Sequence, residues 1–457
     1  MTGAPATFHE RLLLHASRIP DTPALVTRDA SIPYAALASD VRALASALRS
    51  RGVARGSVVA LTARREIDHV LAALALMELG VAQVGLPSRD PVEMRARLAR
   101  RVGVGSVLAD RPDDAVAGLE WIDLGGALAS ARVRPRREAL PRADPTAPTL
   151  VFTGSGTTGE PKIIVYSQHD LALHAEGHID FIGERVLRAA HVEYNNSKRM
   201  RLYTLWQGGT CLLADGSRES LRRQCEILRA TWLELSPIHG ADLLSACRAE
   251  GPLPAHTSVR VGGARVPIAL RRAIMAEASP RLHVSYGTTE TSIVALAFPP
   301  MHDGRESVGP PVAGVDVEIV RADGRAAPPR EIGAIRLRAP GMATGYAADP
   351  AMTAAHFRDG WFMPGDLASF DEDGFLILHG RADDMMIMNS INVFPAEIER
   401  TLEAHPAVEA AAAFPLPSTI HGQIPVAAIA AAAVIPEGWF VVAAIAHLVW
   451  WWTPEFV

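Results

Sequence analysis

The sequence predicts an α/β protein: a large N-terminal domain of helix-flanked β-sheets with a small β-barrel-like subdomain, then a small α+β C-terminal domain. Three observations carry this. In the first part of the chain, runs with helical spacing alternate with short apolar runs; beyond Gly304 short strands alternate with turn residues; and after "GRADD" (380–384) a helical run leads into a strand-like one. At 457 residues the chain exceeds the roughly 250–300 residues at which a single core stops growing, so at least two domains are expected.

The elements follow in order. "AALASDVRALASALR" (35–49) has apolar residues at helical spacing, "SVVAL" from Ser57 reads as a buried strand, and "EIDHVLAALALMELG" is helical again, stopping at Gly80. "VAQVGLP" supplies the next strand, ending at Pro87. Such alternation implies parallel pairing through right-handed crossovers. The Pro- and Ala-rich segment 139–148 reads as a connector. Farther on, "VDVEIV", "AIRLRAP" and "ASFDEDGFLILHG" resemble hairpin strands, with Asp-Gly at 323–324 and 373–374 supplying turn residues that tolerate positive φ. "PAEIERTLEAHPAVEAAAAF" (395–414) reads as helix then strand.

Composition narrows the function. Hydrophobic residues make up 49% of the chain and its formal charge is only −5, a profile that fits a soluble globular protein and offers no nucleic-acid surface. Cys211, Cys225 and Cys247 are odd in number and lack CxxC spacing, so neither a disulfide framework nor a zinc site is suggested and a cytoplasmic setting is expected. The N-terminus does not read as a signal peptide. Lysine occurs only at 162 and 198, which singles out the stretch around the first of them.

That stretch, "VFTGSGTTGEPKIIVYS" (151–167), has Gly154 and Gly159 at the spacing of a Walker A loop, but Glu160 and Pro161 stand where Lys and Ser or Thr belong. "KIIVY" looks like a strand. The loop therefore reads as a hairpin that offers backbone N–H groups, the hydroxyls of Ser155, Thr157 and Thr158, and Lys162 to phosphate oxygens, with Gly156 and Gly159 permitting close approach. Taken alone, an ordinary Gly/Ser/Thr-rich turn is an equal alternative.

Three further motifs occur downstream in order: "VGGARVP" (261–267), "SYGTTET" (285–291) and "GWFMPGDLASFDEDGFLILHGRADDMM" (360–386). Together with the Gly-rich loop they resemble the adenylate-forming (AMP-binding) superfamily of acyl- and aryl-CoA ligases, peptide-synthetase adenylation domains and luciferases, over roughly Phe8 to Ala428.

The resemblance implies ATP-dependent activation of a fatty, aryl or similar carboxylic acid as acyl-AMP, with release of pyrophosphate, then transfer to a thiol, first of all CoA. It implies that Thr153 to Lys162 hold the β- and γ-phosphates and that Thr289 contacts the α-phosphate. Glu290 helps hold Mg²⁺, and Tyr286 packs on adenine with Gly287 and Thr288 beside it. Gly262, Gly263 and Ala264 line the adenine and acyl pocket, Asp366 accepts the ribose hydroxyls, and Arg381 makes a second ribose or phosphate contact. Asp383 matches the hinge between an AMP-binding domain, 1–381, and a mobile C-terminal domain, 382–457. The alternatives are an acyl-AMP ligase that loads the phosphopantetheine of a carrier protein, and a catalytically impaired nucleotide-binding relative with a regulatory role.

The chain also departs from the family. The family's C-terminal lysine, which reaches the α-phosphate, has no counterpart, and "GWFVVAAIAHLVWWWTPEFV" replaces the usual end, so a truncated or frame-shifted terminus with impaired activity is expected. Trp439 to Trp452 is shorter than the about 20 residues of a bilayer span, and a buried or sticky tail is favoured over a membrane contact. Asn389 and Ser390 stand where many CoA ligases carry paired glycines. Asn195 and Asn196 occupy the region where amino-acid-activating members place an aspartate, which argues against an α-amino acid substrate.

Overall fold

The computed structural model describes residues 6–133, 140–154, 161–177, 179–214, 216–388, 391–405, 407–418 and 422–431. Its first sheet has six strands in the order Glu120–Asp123, Ser106–Ala109, Val58–Thr62, Ala82–Gly85, Pro148–Gly154 and Lys162–Ser167. All pairs are parallel except the last, which is antiparallel. The second sheet has eight strands, parallel inside and antiparallel at both edges. Ser292–Ala297 and Leu282–Thr288 form one edge, and Pro23–Val26 with Ser31–Pro33 forms the other. The strand–helix alternation expected from sequence thus builds two parallel-rich layers.

The Glu66–Leu79 helix shows why the alternation works. It is apolar nearly all round, so it packs in the interior and every residue is buried. It ends at Gly80, whose φ of 68° is a left-handed conformation that a Cβ disfavours. At its first residue the Glu66 carboxylate receives Arg201 Nη2 at 2.6 Å, Val192 N–H at 3.1 Å and Ala214 N–H at 2.9 Å. Glu66 begins a helix of the first layer, whereas Arg201, Val192 and Ala214 flank strands of the second. A buried charge satisfied by so many donors costs little to keep; removal of one partner costs about 3–5 kcal/mol.

A third sheet of six strands spans Asp316 to Arg381, with Gly324 (φ 81°) and Gly374 (φ 78°) in the expected turns. The fourth sheet, ordered Ile391–Val393, Met386–Met388, Gly422–Ala431, Val408–Ser418, is wholly antiparallel. The Pro395–Glu403 helix buries Ile398 and Leu402 with Met386 and Val393 against it. Among the described residues no helix is long and apolar enough to cross a membrane. Asn389, Ser390 and the Trp-rich run lie outside those residues.

Candidate functional site

The Gly-rich stretch is flanked by antiparallel strands, Pro148–Gly154 and Lys162–Ser167, with Gly154 opposite Lys162. No helix begins at Pro161, as the hairpin reading expects. Ser155, Gly156, Thr157, Thr158 and Gly159 lie outside the described residues; Thr153 sits on the first strand opposite Ile163. Lys162 places its ammonium 5.1 Å from the centroid of the Tyr346 ring, a cation–π distance. The Tyr346 hydroxyl in turn donates to Glu290 Oε1 at 2.7 Å. Sequence reasoning missed Tyr346. It is held beside the hairpin by its neighbour Ala347, whose N–H donates to the Ile163 carbonyl at 2.8 Å.

The turn that carries Thr289 and Glu290 joins Leu282–Thr288 to Ser292–Ala297, with a register shift between Tyr286 and Gly287. Only glycine fits at 287: a Cβ there would lie 2.2 Å from the Ser292 carbonyl oxygen. Thr288 Oγ1 receives the Thr291 N–H at 3.1 Å, closing the turn. Two donors converge on the Thr289 carbonyl, the Tyr166 hydroxyl at 2.7 Å and Arg199 Nη1 at 2.9 Å. The Glu290 carbonyl accepts from Ala343 N–H at 2.9 Å. These bonds hold the turn's backbone and leave the Thr289 side chain half-buried.

A second cluster surrounds Asp366, opposite Arg381 in a strand pair. Tyr286 donates its hydroxyl to Asp366 Oδ2 at 2.5 Å, Arg381 Nη1 stands 3.5 Å from Oδ1, and Arg381 Nη2 stands 3.5 Å from Asp383 Oδ2. Burial raises the Asp366 carboxyl above its usual range, against the Tyr286 hydrogen bond and the Arg381 charge, which lower it. Burial together with the Asp366 charge pushes the Tyr286 phenol far up, so it remains a donor. A carboxylate has about four lone-pair sites. Tyr286 and Arg381 engage two of them, which leaves acceptor capacity for a cis-diol.

Gly262 pairs with Ser285 on the neighbouring strand, and a Cβ there would lie 2.3 Å from Ser285 Oγ. Gly263 has φ 88°, and Ala264 follows. This turn leads into Arg265, which meets Glu306 at 2.9 Å, Glu403 at 3.0 Å and Glu399 at 3.5 Å, while Arg400 meets Glu306 at 2.8 Å. The ion pairs dock the Pro395–Glu403 helix beside the Gly262–Ala264 turn. Asn195, Asn196 and the missed Arg199 lie on the Asn195–Gln207 helix, the last bonding Asn196 Oδ1 at 3.2 Å.

The two clusters meet on one strand and its turn: Tyr286 belongs to one and Glu290 to the other, and the Glu290 charge contributes to the raised Asp366 carboxyl. A magnesium ion fits this chemistry. Glu290 is an oxygen donor oriented by Tyr346, and Mg²⁺ characteristically takes one or two carboxylates and fills its shell with water and phosphate oxygens. Among the described residues there is no group of three or more His, Cys, Asp or Glu that could hold a metal ion.

A family model described as AMP-binding enzyme matches residues 13–347. A fatty acid–acyl-carrier-protein ligase from Mycobacterium marinum is 30% identical over 479 residues, 94% of this chain and 88% of that protein. A sulfoacetate–CoA ligase from Cupriavidus necator is 26% identical, covering 91% of this chain and 86% of its own. The structure of an amide bond synthetase from Marinactinospora thermotolerans superimposes with a TM-score of 0.81 at 26% identity, over 97% of this chain and 93% of that one.

Proposed function

The chain belongs to the family of AMP-binding enzymes, and from that premise we propose that it activates an organic carboxylic acid with MgATP and passes the acyl group to a thiol, CoA in the first reading. One observation supports this above the others. Tyr286 reaches Asp366 and through it Arg381, while Glu290 reaches Tyr346 and through it Lys162, so one strand and its turn link the groups expected at ribose, magnesium and phosphates.

A free carboxylate resists thiol attack because it is anionic and would have to expel oxide. In the first step one carboxylate oxygen bonds to the α-phosphorus of ATP, the bond to the bridging oxygen breaks, and pyrophosphate leaves with the electron pair. Two anions approach each other, so catalysis requires positive charge and donors placed in advance. The stretch Thr153–Lys162 holds the β- and γ-phosphates, Thr289 holds the α-phosphate, and Asp366 with Arg381 fixes the ribose. Tyr286, Gly287 and Thr288, with Gly262, Gly263 and Ala264, form the walls of the nucleotide and acyl pocket. Magnesium, held by Glu290 and phosphate oxygens, supplies charge neutralisation when bound. In the second step the thiol sulfur attacks the acyl carbon, AMP departs with the electrons of the C–O bond, and the thiol proton passes to solvent.

The chain divides at 381/382, with Asp383 as the hinge. Acyl-AMP and pyrophosphate formation across fatty, aryl and other organic acids tests the first step. Equal trials with CoA and with a phosphopantetheinylated carrier protein test the second; the CoA-ligase relative is in keeping with the former acceptor and the carrier-protein relative with the latter. Absence of any acyl-AMP from protein that binds ATP would favour the second reading, a nucleotide-binding relative with a regulatory role.

A further inference from the structure

We infer that Arg199 is a positioning residue for acyl-AMP formation: its guanidinium fixes the Thr289 carbonyl and sets an uncompensated positive charge behind the phosphate contacts. This rests on the adenylate-forming reading of the site. Arg199 is 3% exposed. It spans both arms expected to grip phosphate. Nη1 donates to the Thr289 carbonyl at 2.9 Å, and the guanidinium carbon stands 4.8 Å from the centroid of Phe152, the residue before Thr153, and 5.9 Å from that of Tyr166. Nη2 donates to Asn196 Oδ1 at 3.2 Å.

The nearby buried arginines are neutralised. Arg201 pairs with Glu66, and Arg188 and Arg260 share Glu234. Arg199 has no ion-pair partner among the described residues and rests on aromatic faces instead. A buried, unpaired cation is costly, and ring faces offset only part of that cost. A ligand that arrives with several negative charges supplies the missing partner. In a water-poor site the charge acts at longer range than it would at the surface.

Tyr166 also donates to the Thr289 carbonyl but carries no charge, so it separates the two parts of the role. The test compares binding of adenosine, AMP and MgATP by calorimetry, and acyl-AMP formation by single turnover, in the wild type, Arg199→Gln, Arg199→Lys and Tyr166→Phe. Arg199→Gln is expected to bind adenosine within about twofold of wild type, AMP and MgATP about tenfold more weakly, and to form acyl-AMP about 30- to 100-fold more slowly. Arg199→Lys and Tyr166→Phe retain the preference for AMP over adenosine within about twofold, because the charge survives in both. Equal weakening of adenosine and AMP in Arg199→Gln, or loss of the AMP preference in a folded Arg199→Lys, overturns the inference. Wild-type protein that forms no acyl-AMP overturns the functional reading instead, while the nucleotide comparison, which needs no turnover, still decides the role of Arg199.

Discussion

Lys198→Met is expected to stabilise the protein near neutral pH and to lose that advantage in alkali. Lys198 is 1% exposed on the Asn195–Gln207 helix, and its Nζ has no hydrogen-bond partner among the described residues. Burial lowers its pKa from 10.5 to about 7, with Glu193 opposing the change. The folded pKa is depressed, so between pH 7 and 10.5 the unfolded chain binds more protons and stability rises with pH. The stabilisation is complete above the unfolded value and is lost as pH falls through the folded one. At about 1.36 kcal/mol per pH unit, a charged Lys198 costs the fold about 4–5 kcal/mol below pH 7, about 3 kcal/mol at pH 8, and under about 1 kcal/mol at pH 10. Methionine fills nearly the same volume without a charge. Urea unfolding at a series of pH values, followed through the buried Trp206 of the same helix, should show a gap between variant and wild type that shrinks along this course. A gap that does not change with pH, or a variant less stable throughout, refutes the reasoning.

Lys162→Met should slow pyrophosphate exchange about 100- to 1000-fold and weaken MgATP binding more than AMP binding; unchanged exchange would remove Lys162 from the phosphate site. Asp366→Ala should cost about 30-fold in AMP affinity and abolish discrimination against 2′-deoxy-AMP in equilibrium binding. In the wild type, AMP affinity should fall in acid at a pH above the usual carboxylate range, because burial raises the Asp366 carboxyl and its protonated form loses acceptor capacity. Arg265→Met removes the centre of the ion-pair group with Glu306, Glu399 and Glu403, so limited proteolysis between residues 382 and 395 should accelerate several-fold without a change in the products from the rest of the chain.

Much of the architecture was legible because it is local. Helical spacing in 66–79 and its stop at Gly80, the Asp-Gly turns at 323–324 and 373–374, and Pro161 followed by a strand-like run all act over a few residues. The site was legible where short motifs fix side chains on paired strands, as with Asp366 opposite Arg381. Tyr346 and Arg199 were not. Tyr346 meets Glu290 across 56 positions and Arg199 meets Thr289 across 90, and no local pattern encodes such a contact. The helix bearing Arg199, "NNSKRMRLYTLWQ", is rich in polar residues yet almost wholly buried, because Arg199, Arg201 and Ser197 find partners on other elements.

The Glu66 carboxylate acts as a rivet between the two α/β layers. With one anion fastened to a guanidinium and two backbone amides from across the seam, prising the layers apart would strand buried charge on both sides. Any widening of the seam at this point would have to break all three of those bonds at once, so the spacing of the layers there is fixed by a single side chain.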